Sequence, residues 1–200
     1  MGKVTVIEHV TLDGVMQAPG RADEDDRDGF EHGGWGQARA DEVMGRKMGE
    51  RMASARGGSL LFGRRTYEDF FSFWPNQTDN PYTEVLDNTE KYVASRTLKE
   101  PLPWSNSTLL HGDAAEAVAE LKEQPGKDFG VLGSGQLVRS LMQRDLVDEL
   151  LLMIHPLVLG TGRRLFADGG AFAELRLTDA TTTTTGVVIA TYEQEKQPNG

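Results

Sequence analysis

Short runs of apolar and β-branched residues alternate along the chain with stretches whose apolar positions recur every third or fourth residue, and this alternation sets the predicted elements. The run KVTVIEHV (3–10) predicts a first strand. In ADEVMGRKMGERMASA (40–55), Met44, Met48 and Met52 fall four apart on one helical face, where methionine fills irregular gaps in a core. GGSLLFG (57–63) predicts a second strand, and RTYEDFFSFW (65–74) a short helix stopped by Pro75. KYVAS (91–95) and STLL (107–110) follow as strands, and Asp113 with Glu116 three residues on resembles a capping box opening a helix through Leu121. FGVLG (129–133) is a further strand, and Leu137, Val138, Leu141 and Met142 mark a helical stripe. DELLLMIHPLVLG (148–160) reads as a long apolar strand that Pro156 bends or ends. AELRLTDATTTTT (173–185) and GVVIATYEQE (186–195) predict a closing antiparallel pair hinged near Gly186, with the threonine run 181–185 as strand with a wet face.

Strand–helix alternation predicts a single α/β domain over 1–195, with a mainly parallel central sheet, helices on both faces and antiparallel C-terminal edge strands. The last five residues, 196–200, read as a disordered tail. In such sheets ligands bind in loops beyond the carboxyl ends of the strands, so chemistry is sought there. The acidic, glycine-rich stretch PGRADEDDRDGFEHGGWG (19–36) has two readings. One is a solvated excursion. The other is a flap over a pocket, for which Phe30 and Trp35 would be substrate-facing aromatics.

Composition narrows the function. The 200 residues carry a net charge of −10, which disfavours a nucleic-acid or membrane-surface partner and requires any anion site to be local. The absence of cysteine excludes disulfides and thiolate chemistry. With no signal-peptide core and no spanning run, the chain reads as cytoplasmic. His9, His32, His111 and His155 show no metal-ligand spacing, so no metal is expected, and the strand histidines His9 and His155 read as structural.

Three strand-end loops hold the candidate chemistry. In Gly63-Arg64-Arg65-Thr66 a glycine turn opens a helix, whose free N–H groups and two guanidinium forks suit phosphate oxygens; a helix start with two exposed arginines is the bland alternative. Ser95 and Arg96, at the next strand end, either share the same anion or cap the strand. VLGSGQL (131–137) places Gly133 and Gly135 between a strand and a helix, a weak match to GxGxxG because Val138 stands at the third glycine. No P-loop or GxSxG nucleophile elbow is present. Three arginines suit a ribose 2′-phosphate better than a bare ribose.

Together the segments TLDGVMQAPG (11–20), LLFGRRTYE (60–68), YVASRTL (92–98) and VLGSGQLVRSLMQRDLVDELLLMIHPLVLGTGRRLF (131–166) resemble the dihydrofolate reductase-like superfamily. The resemblance is to the riboflavin-biosynthesis reductase-domain (RibD C-terminal) branch and its stand-alone bacterial members, and it covers nearly the whole chain. It implies an NADPH-dependent reductase acting on a small pterin- or pyrimidine-like heterocycle. By the same resemblance NADPH is held by Gly63, Arg64, Arg65, Thr66, Ser95 and Arg96 and by Gly133, Ser134, Gly135, Gln136 and Leu137. The loop after the first strand (Leu12 to Gln17) would cover nicotinamide and substrate, with Gly14, Met16 and Gln17 on the substrate. A homodimer is expected because relatives often form one. Dihydrofolate reductases bind the pterin through an acid in the first helix, and DEVMGRKMGERM offers no secure counterpart, which leaves a non-catalytic NADP(H)-binding protein as the alternative. Asp13, the one acid of the matched loop, has two readings: a carboxyl of raised pKa that relays a proton, or a turn cap in an Asp-Gly pair. Glu31 is the next candidate acid.

Overall fold

A computed structural model describes residues 1–54 and 58–195; the side chains of 52–54, Met52 among them, residues 55–57 and the expected tail at 196–200 lie outside the described residues. The strands are β1 (Val4–Thr11), β2 (Ser59–Gly63), β3 (Lys91–Ala94), β4 (Ser107–Leu110), β5 (Phe129–Leu132), β6 (Glu149–His155), β7 (Glu174–Thr182) and β8 (Val188–Glu195). The helices are α1 (Glu42–Ser54), α2 (Arg64–Phe73), α3 (Pro81–Asn88), α4 (Ala114–Lys122) and α5 (Gly135–Gln143). The strands form a mixed sheet in the order β4-β3-β2-β5-β1-β6-β8-β7, the mainly parallel α/β arrangement with antiparallel C-terminal edge strands that the pattern predicts. Two compact units are distinguishable: residues 1–5 with 57–147, and residues 6–56 with 148–200.

In the first unit β2 runs parallel to both β3 and β5, and β3 parallel to β4. The aromatic stretch after the arginine pair explains how α2 is fixed. Tyr67, Phe70, Phe71 and Trp74 recur at helical spacing and pack on Phe62, Leu86, Val93 and Trp104. Tyr67 Oη accepts the Trp104 backbone N–H at 3.0 Å, and Trp104 Nε1 donates to Asp87 at 2.6 Å, so the rings are pinned as well as buried. The α-helix ends at Phe73, as the proline predicts, and the chain continues in a 3-10 turn, Trp74–Asn76, where the missing Pro75 N–H is harmless. The helix α3 was not predicted, although Asn80-Pro81 carries its start signal: the Asn80 side chain accepts Tyr82 N–H at 3.0 Å and Pro81 opens the first turn. Asp113 caps α4, accepting from the Ala115 and Glu116 amides.

In the second unit β6 ends at His155, directly before Pro156, and pairs antiparallel with β8, which pairs with β7. Met44 of α1 packs on Leu151, Met153, Val187 and Ile189, with Met48 half-buried beside it, so these two methionines of the stripe serve the core. The threonine run is strand only through Thr182. Beyond it Thr183 is buried and accepts Val187 N–H at 3.0 Å, Thr184 donates to Asp41 at 2.6 Å, and Thr185 donates to the Arg39 carbonyl at 2.6 Å. Their hydroxyls tie the β7–β8 turn to the start of α1, a role invisible to β-propensity.

Glu8 of β1 is 3% exposed, and its Oε1 has no partner among the described residues. Burial, reinforced by the nearby Glu24 charge, pushes its carboxyl well above the usual range. A raised folded pKa means the fold holds a proton that the unfolded chain has released, so Glu8 costs stability increasingly as pH rises above about 4.5. Glu8→Gln should therefore raise the thermal midpoint at pH 8, with the gain shrinking towards zero at pH 4; scanning fluorimetry of both proteins across that range checks this.

Candidate functional site

The register of the first unit brings the expected loops together. Gly63 pairs across to Ala94, so the β2 end and Ser95 are neighbours, while Leu61 pairs with Val131 on the other side of β2. The loops after β3, β2 and β5 thus emerge from three consecutive parallel strands, two of them opening helices. A direct lock joins the turns after β2 and β5. Ser134 Oγ accepts Gly63 N–H at 2.9 Å and donates to Leu132 O at 3.2 Å, while Ser134 N–H donates to Thr66 Oγ1 at 3.1 Å. These bonds hold Ser134 at φ +64°, a left-handed conformation uncommon for a side-chain-bearing residue. Gly133 is also left-handed, and a Cβ there would lie 3.0 Å from Thr66 Cγ2, so glycine permits the approach.

The individual residues divide by availability. Arg64 pairs with Glu68 one turn along α2 at 2.9 Å, a half-exposed contact of small net worth. Arg65, Arg96 and Gln136 are exposed, and among the described residues no ion pair holds Arg65 or Arg96. Asp113 feels the charge of Arg96 as a lesser influence on its lowered pKa, after its helix-cap hydrogen bonds. Ser95 Oγ accepts the Thr97 and Leu98 amides at 3.1 and 3.0 Å and so closes its own turn. Leu137 is buried, part of the α5 apolar face. Neither the Gly63 nor the Ser134 cap position satisfies the following amides through its side chain, and Gly135 sits within the first turn of α5.

The second unit holds the other candidates. Asp13 Oδ1 accepts from Thr11 Oγ1 at 2.6 Å and from Leu159 N–H at 3.2 Å, and Oδ2 accepts from Gly160 N–H at 2.8 Å. Arg164 stands 3.6 Å away and donates Nε to the Asp13 carbonyl at 2.8 Å. The Thr11 hydroxyl, then the two amides, hold the carboxyl down at about 2, against the desolvation that opposes them. The raised pKa expected for a proton relay is overturned: Asp13 is an anion at neutral pH and ties the loop after β1 to the loop after β6. Gly14 joins that tie, its carbonyl accepting Leu165 N–H at 3.0 Å, and Met16 N–H donates to Arg163 O at 2.8 Å. Gln17 is buried, donating to the Asp25 and Arg27 carbonyls and accepting Arg163 N–H at 2.9 Å.

Phe30 and Trp35 are buried with Val15 and Ala18, and Trp35 Nε1 donates to Gln17 O at 2.7 Å. Gly162, at φ +105°, makes room for Phe30 and Val15: its Cβ would stand 2.6 Å from the Phe30 ring. The 19–36 stretch therefore packs both aromatics into a small core with Val15, Ala18, Leu157 and Leu159. Glu31 is exposed.

Two residues read as structural in the sequence are brought together here. His9 Nδ1 and His155 Nε2 lie 2.9 Å apart, Trp35 stands edge-on to His155 with centroids 5.0 Å apart, and His155 is 0% exposed. Both imidazoles are pushed down to about 4, His9 by burial and then by His155, and His155 by burial and then by the Arg39 charge. The available signal was a titratable residue near the end of each of two apolar strands, EHV and LMIH. Among the described residues no cluster of three His, Asp or Glu could hold a metal, and no helix is long and apolar enough to cross a membrane.

This architecture is shared with a protein named for riboflavin biosynthesis from Shewanella sp. PV-4 (TM-score 0.66, 21% identity, covering 97% of this chain and 99% of that one). It is shared also with a pyrimidine reductase-like protein from Corynebacterium diphtheriae (TM-score 0.64, 13% identity, covering 98% and 93%). The RibD C-terminal domain family matches residues 2–189, and the chain belongs to that family. Relatives in Bacillus subtilis include the uncharacterized protein YyaP, 33% identical over 139 residues, 67% of this chain and 72% of that protein. The uncharacterized protein YwjB is 33% identical over 70 residues, covering 35% of this chain and 40% of YwjB.

Two stability outcomes follow. Ser134→Ala removes the shared hydroxyl and should cost about 1–3 kcal/mol in urea unfolding, the usual cost of stranding hydrogen-bond partners. Asp13 stabilises the fold above its unfolded pKa near 3.8 and loses that contribution as pH falls towards 2. Asp13→Asn should therefore lower the thermal midpoint at pH 7, and the difference should narrow between pH 4 and pH 2.

Proposed function

We propose that the protein is an NADPH-dependent reductase of a small heterocycle of pterin or pyrimidine type. The observation that supports it most is the convergence of three loops at the ends of β3, β2 and β5, with Arg64, Arg65 and Arg96 among them in a chain of net charge −10. The donor set fits a phosphorylated dinucleotide. Arg65 and Arg96 carry guanidinium groups in no ion pair among the described residues, and Arg64 is held only by an exposed glutamate. The first-turn amides of α2 and α5 add neutral donors and favourable dipole ends. NADPH bound here would supply the hydride and its electron pair. The chain's own part is to grip the phosphates through Arg64, Arg65 and Arg96 and to keep the two turns in register through Ser134 and Thr66. Asp13 positions the loop after β1 and is not the acid. The proton that must reach the substrate nitrogen or oxygen comes from another donor or from water.

NADPH should bind more tightly than NADH in a fluorescence titration, and equal affinities would remove the reading. Arg65→Ala should cost on the order of 1.5–3 kcal/mol of NADPH affinity, as for a charge-assisted contact, and leave the weaker NADH binding nearly unchanged. Following NADPH oxidation with a panel of pterins and ribityl-pyrimidines tests the substrate class. Binding of NADPH without turnover of any member would favour a non-catalytic NADP(H)-binding protein.

A further inference from the structure

The histidine pair has a tautomer that can be derived. Each neutral imidazole carries one N–H, and the 2.9 Å contact between His9 Nδ1 and His155 Nε2 needs one donor and one acceptor. If His9 donated, His155 would carry its proton on Nδ1. That atom is buried and has no hydrogen-bond partner among the described residues, so an N–H would be stranded beside the Arg39 charge. If His155 donates, Nδ1 is a bare nitrogen, which a nearby cation favours. The second arrangement is the better one, and it leaves His9 with its proton on Nε2.

His9 is half-buried where His155 is fully enclosed, and its Nε2 makes no hydrogen bond among the described residues. A polar N–H is therefore presented at one end of a buried relay. It stands three residues before the Leu12–Gln17 loop that the family resemblance assigns to substrate. Trp35, edge-on to His155, and the Arg39 charge both act to keep the pair neutral and fixed. A neutral donor gives a full hydrogen bond to a carbonyl or ring nitrogen, and to an anion it offers a hydrogen bond without a counter-charge.

We infer that His9 is a specificity-determining residue that donates its Nε2–H to a neutral acceptor, a ring carbonyl or ring nitrogen, of a heterocyclic substrate, with His155 as the positioning residue that sets its tautomer. This rests on the reductase reading for the nature of the substrate, and on the pair's own geometry for the donor. No proton leaves His9: moving one would leave an imidazolate on the buried His155, with no donor to refill it.

The test uses the full chain labelled with ¹⁵N, free of nucleotide. Long-range proton–nitrogen spectra at pH 7 should show His9 and His155 both protonated on Nε2 and bare on Nδ1. A proton on His9 Nδ1 overturns the inference, and this arm needs no variant to fold. Lumazine, a neutral pteridine dione, is then added to millimolar concentration. It should shift the His9 Nε2 resonances and leave the exposed His111 unmoved, whereas inorganic phosphate should shift neither. An unmoved His9 overturns the assignment. His9→Gln keeps an N–H near the Nε2 position and should hold lumazine within about threefold of the parent, while His9→Phe should weaken it at least tenfold; equal affinities across the three proteins also overturn it. NADPH titration of the same variants should give unchanged affinity. Failure of the parent to bind NADPH would sink the reductase reading while leaving the tautomer and the lumazine response to decide the role of His9.

Discussion

The hydrogen bonds that Ser134 makes to Gly63, Thr66 and Leu132 are the constraint on which the nucleotide-side geometry depends. Parallel strands alone would put the ends of β2 and β5 near each other, but would leave their turns free to diverge. The lock spans them with one hydroxyl and one amide, and accepts a left-handed serine in return. Because α2 and α5 both start at these turns, fixing the turns also fixes where two sets of first-turn amides emerge. The aromatic face of α2 completes the arrangement by anchoring the helix body on Phe62 and Trp104. A loose helix could not hold an arginine pair at a defined place.

Charge is distributed with a similar economy. The chain is acidic overall, yet its carboxylates near the loop after β1 act mainly as internal acceptors. Asp13 takes three hydrogen bonds, Glu24 takes the Gly20 and Arg21 amides, and Asp25 pairs with Arg27. Such carboxylates behave as fixed negative ends of local networks, with pKa values pulled down where hydrogen bonding outweighs burial, as at Asp13 and Asp25. Glu8 shows the opposite balance: with one carboxyl oxygen unpartnered and Glu24 nearby, desolvation wins. The sign of each shift follows from how many donors reach the group, and sequence position alone does not reveal that.

The histidines illustrate the same point for neutral groups. On separate strands each is an isolated polar residue in apolar surroundings. Paired at 2.9 Å, each restricts the other to one protonation pattern, and both are pushed to about 4. The 19–36 stretch adds to this by setting Trp35 edge-on to His155, and Arg39, three residues beyond it, adds its charge. A segment whose composition suggested a solvated excursion or a flap thus contributes structure to the pair.

Periodicity by itself determined the strands and most helices, because a pleated strand and an amphipathic helix bury residues at different repeats that a single sequence displays directly. Glycine, serine and arginine at the ends of β2, β3 and β5 were legible for the same local reason: a turn after an apolar run has few residue choices. Partner identity was not legible. Whether Asp13 is a raised acid or a pinned anion depended on Leu159 and Gly160, some 146 residues away. The meeting of His9 with His155, and the diversion of Thr184 and Thr185 from strand face to side-chain anchors, also required contacts distant in sequence. Local pattern fixes which atoms are buried, but pKa and hydrogen-bond role depend on which other atoms share the burial, and only the tertiary structure decides that.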